Sequence, residues 1–270
     1  MSSSGDPLDS QVFLRRLPLR RRLARTLLFV NECSSTANLA RGILEKEGAD
    51  SAAGLLVTTE WQTDGKGRKA RDWWSGPNGS NLACTLILTR PPRPGEAVGV
   101  AAACALAEVL QRIVPGKIAA KWPNDILLDG KKIAGFLVEI LQVSGHPCLL
   151  LSLGLNVHAA PPPSTVPHPA TSLAEGGGRQ LSRTGILASW ILTLNGFLSR
   201  LDRTGPRTIE AAYLDWLRRW APAGVRDPKT GDGGPLVEFS VSTGLTWTDE
   251  AGLPVTKPLG LLPTLEAIPS

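Results

Sequence analysis

Lys121-Trp122-Pro123-Asn124-Asp125, then Ile126 to Leu128, then Asp129-Gly130-Lys131-Lys132-Ile133-Ala134-Gly135-Phe136-Leu137-Val138-Glu139, is the stretch whose reading settles the fold class. Ile118 to Trp122 and Asp125 to Leu128 are β-rich runs on either side of a Pro-Asn turn. Asp129-Gly130 is the dipeptide that two-residue hairpins favour, because both central positions need a left-handed backbone. Ile133 to Val143 and Pro147 to Val157 complete a second strand pair. Tight turns between neighbouring strands mean antiparallel pairing. With long helices beside them, the predicted class is α+β: a mixed, largely antiparallel sheet backed by helices.

Toward the N-terminus, Thr26 to Val30, Leu55 to Glu60 and Asn81 to Thr89 read as further strands. Ser34-Ser35-Thr36 precede a helical pattern, Ala37 to Lys46, with Leu39, Ile43 and Leu44 on one face, a capped helix start. Ala97 to Val114 reads as a mostly buried helix. Toward the C-terminus, Ala159 to Ala170 is a proline-rich loop. Ser182 to Arg200 is an amphipathic helix carrying Ile186, Trp190, Leu194 and Phe197, and Thr208 to Trp220 is another. Beyond Trp220 only Leu236 to Val241 and Leu245 to Trp247 read as strands. The expected organisation is a disordered start at 1–10, a main domain at 11–220 and a small β segment at 221–270.

A chain of 270 residues with 42% hydrophobic and 20% charged residues can build a sizeable core, which excludes a disordered or fibrous chain. The longest apolar run, Ala97 to Ala107, is half of the ~20 residues a membrane span needs, so no membrane partner is expected. Four widely spaced cysteines show no metal-ligand spacing, and buried thiols in a reducing compartment are expected. The net charge of +5 is local: residues 11–30 hold six arginines and no acid, and setting these aside leaves 23 basic against 24 acidic residues. A generally basic surface is absent, and no nucleic-acid partner is expected. The Arg-rich run itself has two readings, an organelle transit peptide or a short basic helix leading into the strand at Thr26. The second is preferred, because a cleaved leader would have to end inside that element.

Gly65-Lys66-Gly67-Arg68-Lys69-Ala70 fits the pattern G-x-G-x-x-A, but a dinucleotide fingerprint must open a helix, and Arg71-Asp72-Trp73-Trp74-Ser75-Gly76-Pro77 cannot be one. What remains is a glycine-hinged loop carrying Lys66, Arg68, Lys69 and Arg71, with Trp73 and Trp74 beside it. Such a loop suits closure over an anionic ligand; its plainer reading is a solvated basic loop. Lys121, leading a strand into a turn, is held in place and can stabilise developing negative charge; the plainer reading is a turn between strands. Asn156, at the end of a strand in Gly154-Leu155-Asn156-Val157, can aim an amide at a ligand.

Taken in order, Ser35-Thr36, Gln62, Gly65-Lys66-Gly67-Arg68, Trp73, Ser75, KWPND at 121–125, Lys132-Ile133-Ala134-Gly135 with Val138-Glu139, and Gly154-Leu155-Asn156-Val157 resemble the biotin–protein ligases, which include the holocarboxylase synthetases. The resemblance covers roughly residues 11–220. It implies a catalytic domain like that of class II tRNA synthetases, with biotin and Mg-ATP (Mg2+ arriving with the nucleotide) as reactants. Biotin is activated to biotinyl-5′-AMP and then passed to one lysine in the biotin carrier domain of a carboxylase. By motif, Ser35, Thr36 and Gln62 would hold the biotin ring, and Lys66, Gly67 and Arg68 would cover biotin and adenylate. Lys121 would meet the biotin carboxylate and α-phosphate, with Lys121 and Arg68 the catalytic pair. Arg71, Trp73, Asn124 and Asn156 would serve the nucleotide. A cytoplasmic monomer or homodimer is expected, with no metal held by the protein itself.

The chain departs from the family at Ala37, where Asn often follows Ser-Thr, and at Lys66 and Ala70, where Arg and Gly are usual. The small SH3-like barrel that usually ends the family corresponds to 221–270, which reads as an altered version. Two alternatives remain: a non-catalytic protein that binds biotin or a carrier domain, and a lipoate-type ligase. The latter would carry a Gly-Gly-Gly segment with a nearby His-Asp, whereas Gly176-Gly177-Gly178 falls too late in the chain.

Overall fold

The computed structural model describes residues 6–18, 23–179, 181–262 and 264–269. Its N-terminal half runs α1 (Ser10–Arg15), β1 (Thr26–Cys33), α2 (Thr36–Ser51), β2 (Leu55–Gln62), β3 (Leu82–Leu88) and α3 (Glu96–Gln111). It continues through β4 (Ile118–Lys121), β5 (Asp125–Leu128), β6 (Lys131–Val143), β7 (His146–Leu155), α4 (Arg183–Thr204) and α5 (Arg207–Trp220). The seven strands form one sheet in the order β1-β2-β3-β7-β6-β5-β4, in which only β1 and β2 are parallel. The expected mixed, largely antiparallel sheet is therefore present. Its single parallel pair is joined by α2, since parallel neighbours need a crossover.

The first hairpin has the cause assigned to it, and the second shares its geometry. Asp129 and Gly130 (φ 49° and 78°) join β5 to β6, and Ser144 and Gly145 (φ 50° and 79°) join β6 to β7. Both turns put consecutive residues in the left-handed region, which matches the twist of the strands they connect. α3 is apolar all round, and twelve of its residues are buried. It lies between the sheet and the pair α4 and α5, so it has no solvent face to make polar. On the opposite face of the sheet, Ala40 and Leu44 of α2 cover Val57, Ile87, Cys148 and Leu150. Cys84, Cys104 and Cys148 are buried while Cys33 is half-buried, and burial pushes all four thiols up. Among the described residues no helix is long and apolar enough to cross a membrane.

Two expectations need correction. The first concerns the start of the chain: residues 1–5 lie outside the described part, but residues 6–10 are anchored rather than frayed. Asp6 accepts from the backbone and guanidinium of Arg183, Leu8 N–H donates to Glu60 Oε1 at 2.8 Å, and Asp9 caps α1. Composition hid this, because the partners lie more than fifty residues away. Of the basic run, Arg20, Arg21 and Arg22 lie outside the described residues.

The second concerns the tail. Residues 221–270 carry six short strands, not two or three: β8 (Val225–Arg226), β9 (Gly233–Gly234), β10 (Leu236–Ser240), β11 (Gly244–Thr248), β12 (Pro254–Lys257) and β13 (Glu266–Ala267). They form two three-stranded sheets, β10-β11-β12 and β13-β8-β9. Two-residue strands built on glycine carry no alternating pattern, so only the longer ones were legible. This module is fastened to α5: Glu210 Oε1 accepts from Val241 N at 2.7 Å, and Phe239 packs on Tyr213 and on Trp122. The Trp of KWPND thus touches the C-terminal module.

Arg183 is the largest charged group in the core, with no exposed surface. Its guanidinium pairs with Glu60 Oε2 at 2.6 Å and donates to the Asn81 carbonyl at 3.1 Å, besides its bonds to Asp6. Removing one partner of such a buried group leaves the others desolvated and unpaired, which costs about 3–5 kcal/mol. Arg183→Ala should lower the unfolding free energy by that amount in a denaturant titration. A loss below about 1 kcal/mol would mean the cluster contributes little.

Candidate active site

One cavity of about 390 Å³ opens where the ends of β2, β4, β6 and β7 meet the loop between β2 and β3. The candidate site residues line it: Ser35, Thr36, Gln62, Lys66, Gly67, Arg68, Arg71, Trp73, Lys121, Asn124 and Asn156. They come from segments more than a hundred residues apart, and the sheet order brings them together.

Its floor is polar and buried. Ser35 is the N-cap of α2, accepting from Ala37 N at 3.2 Å, and Thr36 is the first helical residue. Gln62, at the end of β2, accepts from Thr36 N at 2.8 Å and from Thr36 Oγ1 at 3.1 Å through the same amide oxygen. Its amide nitrogen lies against Gly65, 2.7 Å from where a Cβ there would sit. Only glycine at 65 leaves room for it.

The loop over this floor is a small internally bonded hairpin. Trp73 N donates to Gly65 O at 2.8 Å, Gly67 N donates to Arg71 O at 2.7 Å, and Lys66 bridges Asp72. Arg68, Lys69 and Arg71 are exposed at its tip. Lys69 and Ala70 have φ of 57° and 55°, left-handed values that cost an L-residue about 1–2 kcal/mol. Position 70 is thus one where glycine would relieve strain.

Lys66, expected to cover biotin and adenylate, lines the cavity and also closes the loop. Its Nζ sits 2.6 Å from Asp64 and 2.8 Å from Asp72, and these carboxylates hold the ammonium well above the ordinary lysine range. Its ammonium thus helps tie the hairpin together, while Arg68, Lys69 and Arg71 stand exposed at the tip. Asp64 and Asp72 stood in the sequence beside Lys66, but nothing there showed that the loop folds back on itself.

Lys121, at the end of β4, reaches the cavity from the far side with its Nζ 5.6 Å from the centroid of the Trp220 ring. Asn124 and Asn156 line the cavity but spend their amide nitrogens on backbone carbonyls, of Phe136 at 2.7 Å and Thr171 at 3.0 Å. Each first holds a turn in shape, which leaves its oxygen and its second amide N–H for a ligand.

Sequence reasoning missed several walls. Lys132 pairs with Asp125 at 2.6 Å and lies 5.8 Å from the Trp73 ring centroid. Trp73 itself lies flat on Gly154, where any Cβ would overlap the indole. Ser152, the loop around His168, and Gly260, Leu262 and Thr264 of the tail complete the lining. Lys132 and Gly154 stood inside quoted motifs; the tail residues carried no signal.

Residues 34–157 match the model of the biotin/lipoate A/B protein ligase family. The bifunctional ligase/repressor BirA of Escherichia coli is 30% identical over 171 residues, covering 62% of this chain and 51% of that protein. The biotin–[acetyl-CoA-carboxylase] ligase of Paracoccus denitrificans is 38% identical over 132 residues, 46% of this chain and 52% of that one. The chain therefore spans about half the length of these curated relatives. Biotin protein ligase from Aquifex aeolicus, solved with biotin and ATP, superposes with a TM-score of 0.72 at 20% identity over 90% of this chain and 98% of that one. At that identity the likeness shows a shared fold.

Proposed function

We propose that the protein is an ATP-dependent biotin–protein ligase. The observation that carries this reading is the single cavity that joins a buried hydrogen-bonding floor (Ser35, Thr36, Gln62) to a cationic loop and to Lys121. A neutral polar ring fits the first, a carboxylate and a nucleotide phosphate fit the second. The relatives named above, with biotin or ligase in their descriptions, point the same way.

In the first half-reaction a biotin carboxylate oxygen attacks the α-phosphorus of ATP, forming a P–O bond as pyrophosphate leaves. Both reactants are anions, so the barrier includes their repulsion. Lys121 and Arg68 offset it by fixed positive charge where negative charge develops. Mg2+ travels with the nucleotide phosphates as part of that substrate. In the second half-reaction a lysine amine of a carrier domain attacks the acyl carbon, the C–O bond to AMP breaks, and the amine proton is lost. Between the two steps the mixed anhydride must be kept from water, which is the task assigned to the loop at 65–73.

Incubation with biotin, Mg-ATP and a carboxylase carrier domain tests the reading by mass spectrometry of the acceptor. One biotinyl addition on a single lysine is expected. An unmodified acceptor alongside tight biotin binding would favour the non-catalytic alternative. A lipoyl addition in place of biotinyl would favour the lipoate-type alternative.

Trp73 is assigned to the nucleotide side. Gly154→Ala would push the indole from its seat, so the KM for ATP should rise about tenfold with the KM for biotin within about twofold, the loss of roughly one aromatic contact. Equal rises in both would move Trp73 out of the nucleotide site.

A further inference from the structure

The floor holds a chain of hydroxyl groups that runs deeper than the residues described so far. Thr36 Oγ1 donates to Gln62 Oε1, Thr85 Oγ1 donates to Thr36 Oγ1 at 3.0 Å, and Thr85 Oγ1 lies 2.9 Å from Ser152 Oγ. Thr36 and Thr85 are buried, and Ser152 stands in the cavity wall.

The direction of every bond in the chain follows from one backbone donor. Thr36 N–H points at Gln62, so the amide atom facing it is the oxygen. Thr36 Oγ1, at 3.1 Å from that oxygen, must then give it its only proton. Thr85 accordingly gives its proton to Thr36, and Ser152 gives its proton to Thr85. Both hydroxyl oxygens that reach the cavity, Thr36 and Ser152, are left with lone pairs alone, while Gln62 offers its amide N–H.

We infer that Ser152 is a specificity-determining residue that accepts a hydrogen bond from a ring N–H of the ligand, with Thr85 the positioning residue that keeps its proton turned away. This inference rests on the biotin reading and deepens it. A cyclic urea presents a carbonyl acceptor flanked by two N–H donors, the complement of a floor with fixed amide and hydroxyl polarity. Reversing a buried donor or acceptor leaves two like groups facing each other, a mismatch that costs more than a missing bond.

The test measures KM for biotin and for ATP, and kcat, in wild type, Ser152→Ala, Thr85→Val and Thr85→Ser, with thermal unfolding as a control on folding. Ser152→Ala should raise the KM for biotin about five- to tenfold, the factor one neutral hydrogen bond supplies, with kcat and the KM for ATP within about twofold. Thr85→Val frees the Ser152 proton to swing toward the ligand, and a similar rise is expected. Thr85→Ser should restore the wild-type value, which a purely packing role for Thr85 would not do. Two cyclic-carbamate analogues, each with one ring N–H replaced by oxygen, complete the cycle. Wild type should reject one of them more strongly than the other, and Ser152→Ala should lose that preference. Unchanged KM for biotin in Ser152→Ala, or a preference it retains, overturns the inference while the biotin reading stands. No biotin binding by the wild type in calorimetry would end both.

Discussion

Lys121→Ala is expected to slow adenylate formation by about 10²–10³-fold, the range for removing one preorganised group that stabilises transition-state charge. The lysine stands at the end of β4, and the pairing of Lys121 with Asp125 across the turn fixes where its stem leaves the sheet. Its ammonium therefore does not have to be gathered from solution at the moment of reaction. The side chain is only partly buried, with its ammonium over the Trp220 ring, so unfolding should shift by less than about 1 kcal/mol. Single-turnover formation of pyrophosphate, measured beside a denaturant titration, separates the two effects. Wild-type turnover in the variant would take Lys121 out of the mechanism. A large loss of stability would show that it holds the strand end rather than the charge.

Arg68→Gly is expected to act chiefly on retention of the intermediate, beyond the charge that Arg68 adds to the first step. Arg68 is exposed at the tip of the hairpin whose base is closed by the Asp64–Lys66–Asp72 pairs, so the loop should still form without it. What is lost is a charge-assisted bond to the bound intermediate, about 1.5–3 kcal/mol, or some 10–150-fold in its retention. The released mixed anhydride acylates any exposed amine. Labelling of a bystander protein such as serum albumin should rise by that factor while adenylate is still made. A variant that labels only the carrier lysine would remove Arg68 from the lid.

The parts of this molecule that were legible in the sequence are those where local chemistry decides structure. Asp129-Gly130 turns where it does because Asp-Gly suits a left-handed backbone twice in succession, and with it came the antiparallel pairing of β5 and β6. Ser35 caps a helix and announces its start. The candidate residues were assembled through the resemblance that KWPND and KIAG carry, and the sheet brings those strand ends to one cavity. Long-range matters stayed hidden. Arg183 sits in a helix start that reads as surface, and only the fold brings it to Glu60 and Asp6. Lys66 reads as a free cation until the loop folds back to meet Asp72. Thr85 and Ser152 are single small polar residues in apolar strands, and nothing local distinguishes a relay from a solvated position. The tail's shortest strands have no period to read, and Thr264 reaches the cavity only through the docking of its module on α5.

Biotin-dependent exchange of labelled pyrophosphate into ATP addresses the central claim, that one cavity joins a biotin carboxylate to the α-phosphate under a cationic loop. The account predicts exchange that requires biotin and Mg-ATP together, persists without any carrier domain, and falls with Lys121→Ala. Folded protein that binds biotin and ATP yet exchanges no pyrophosphate would contradict it.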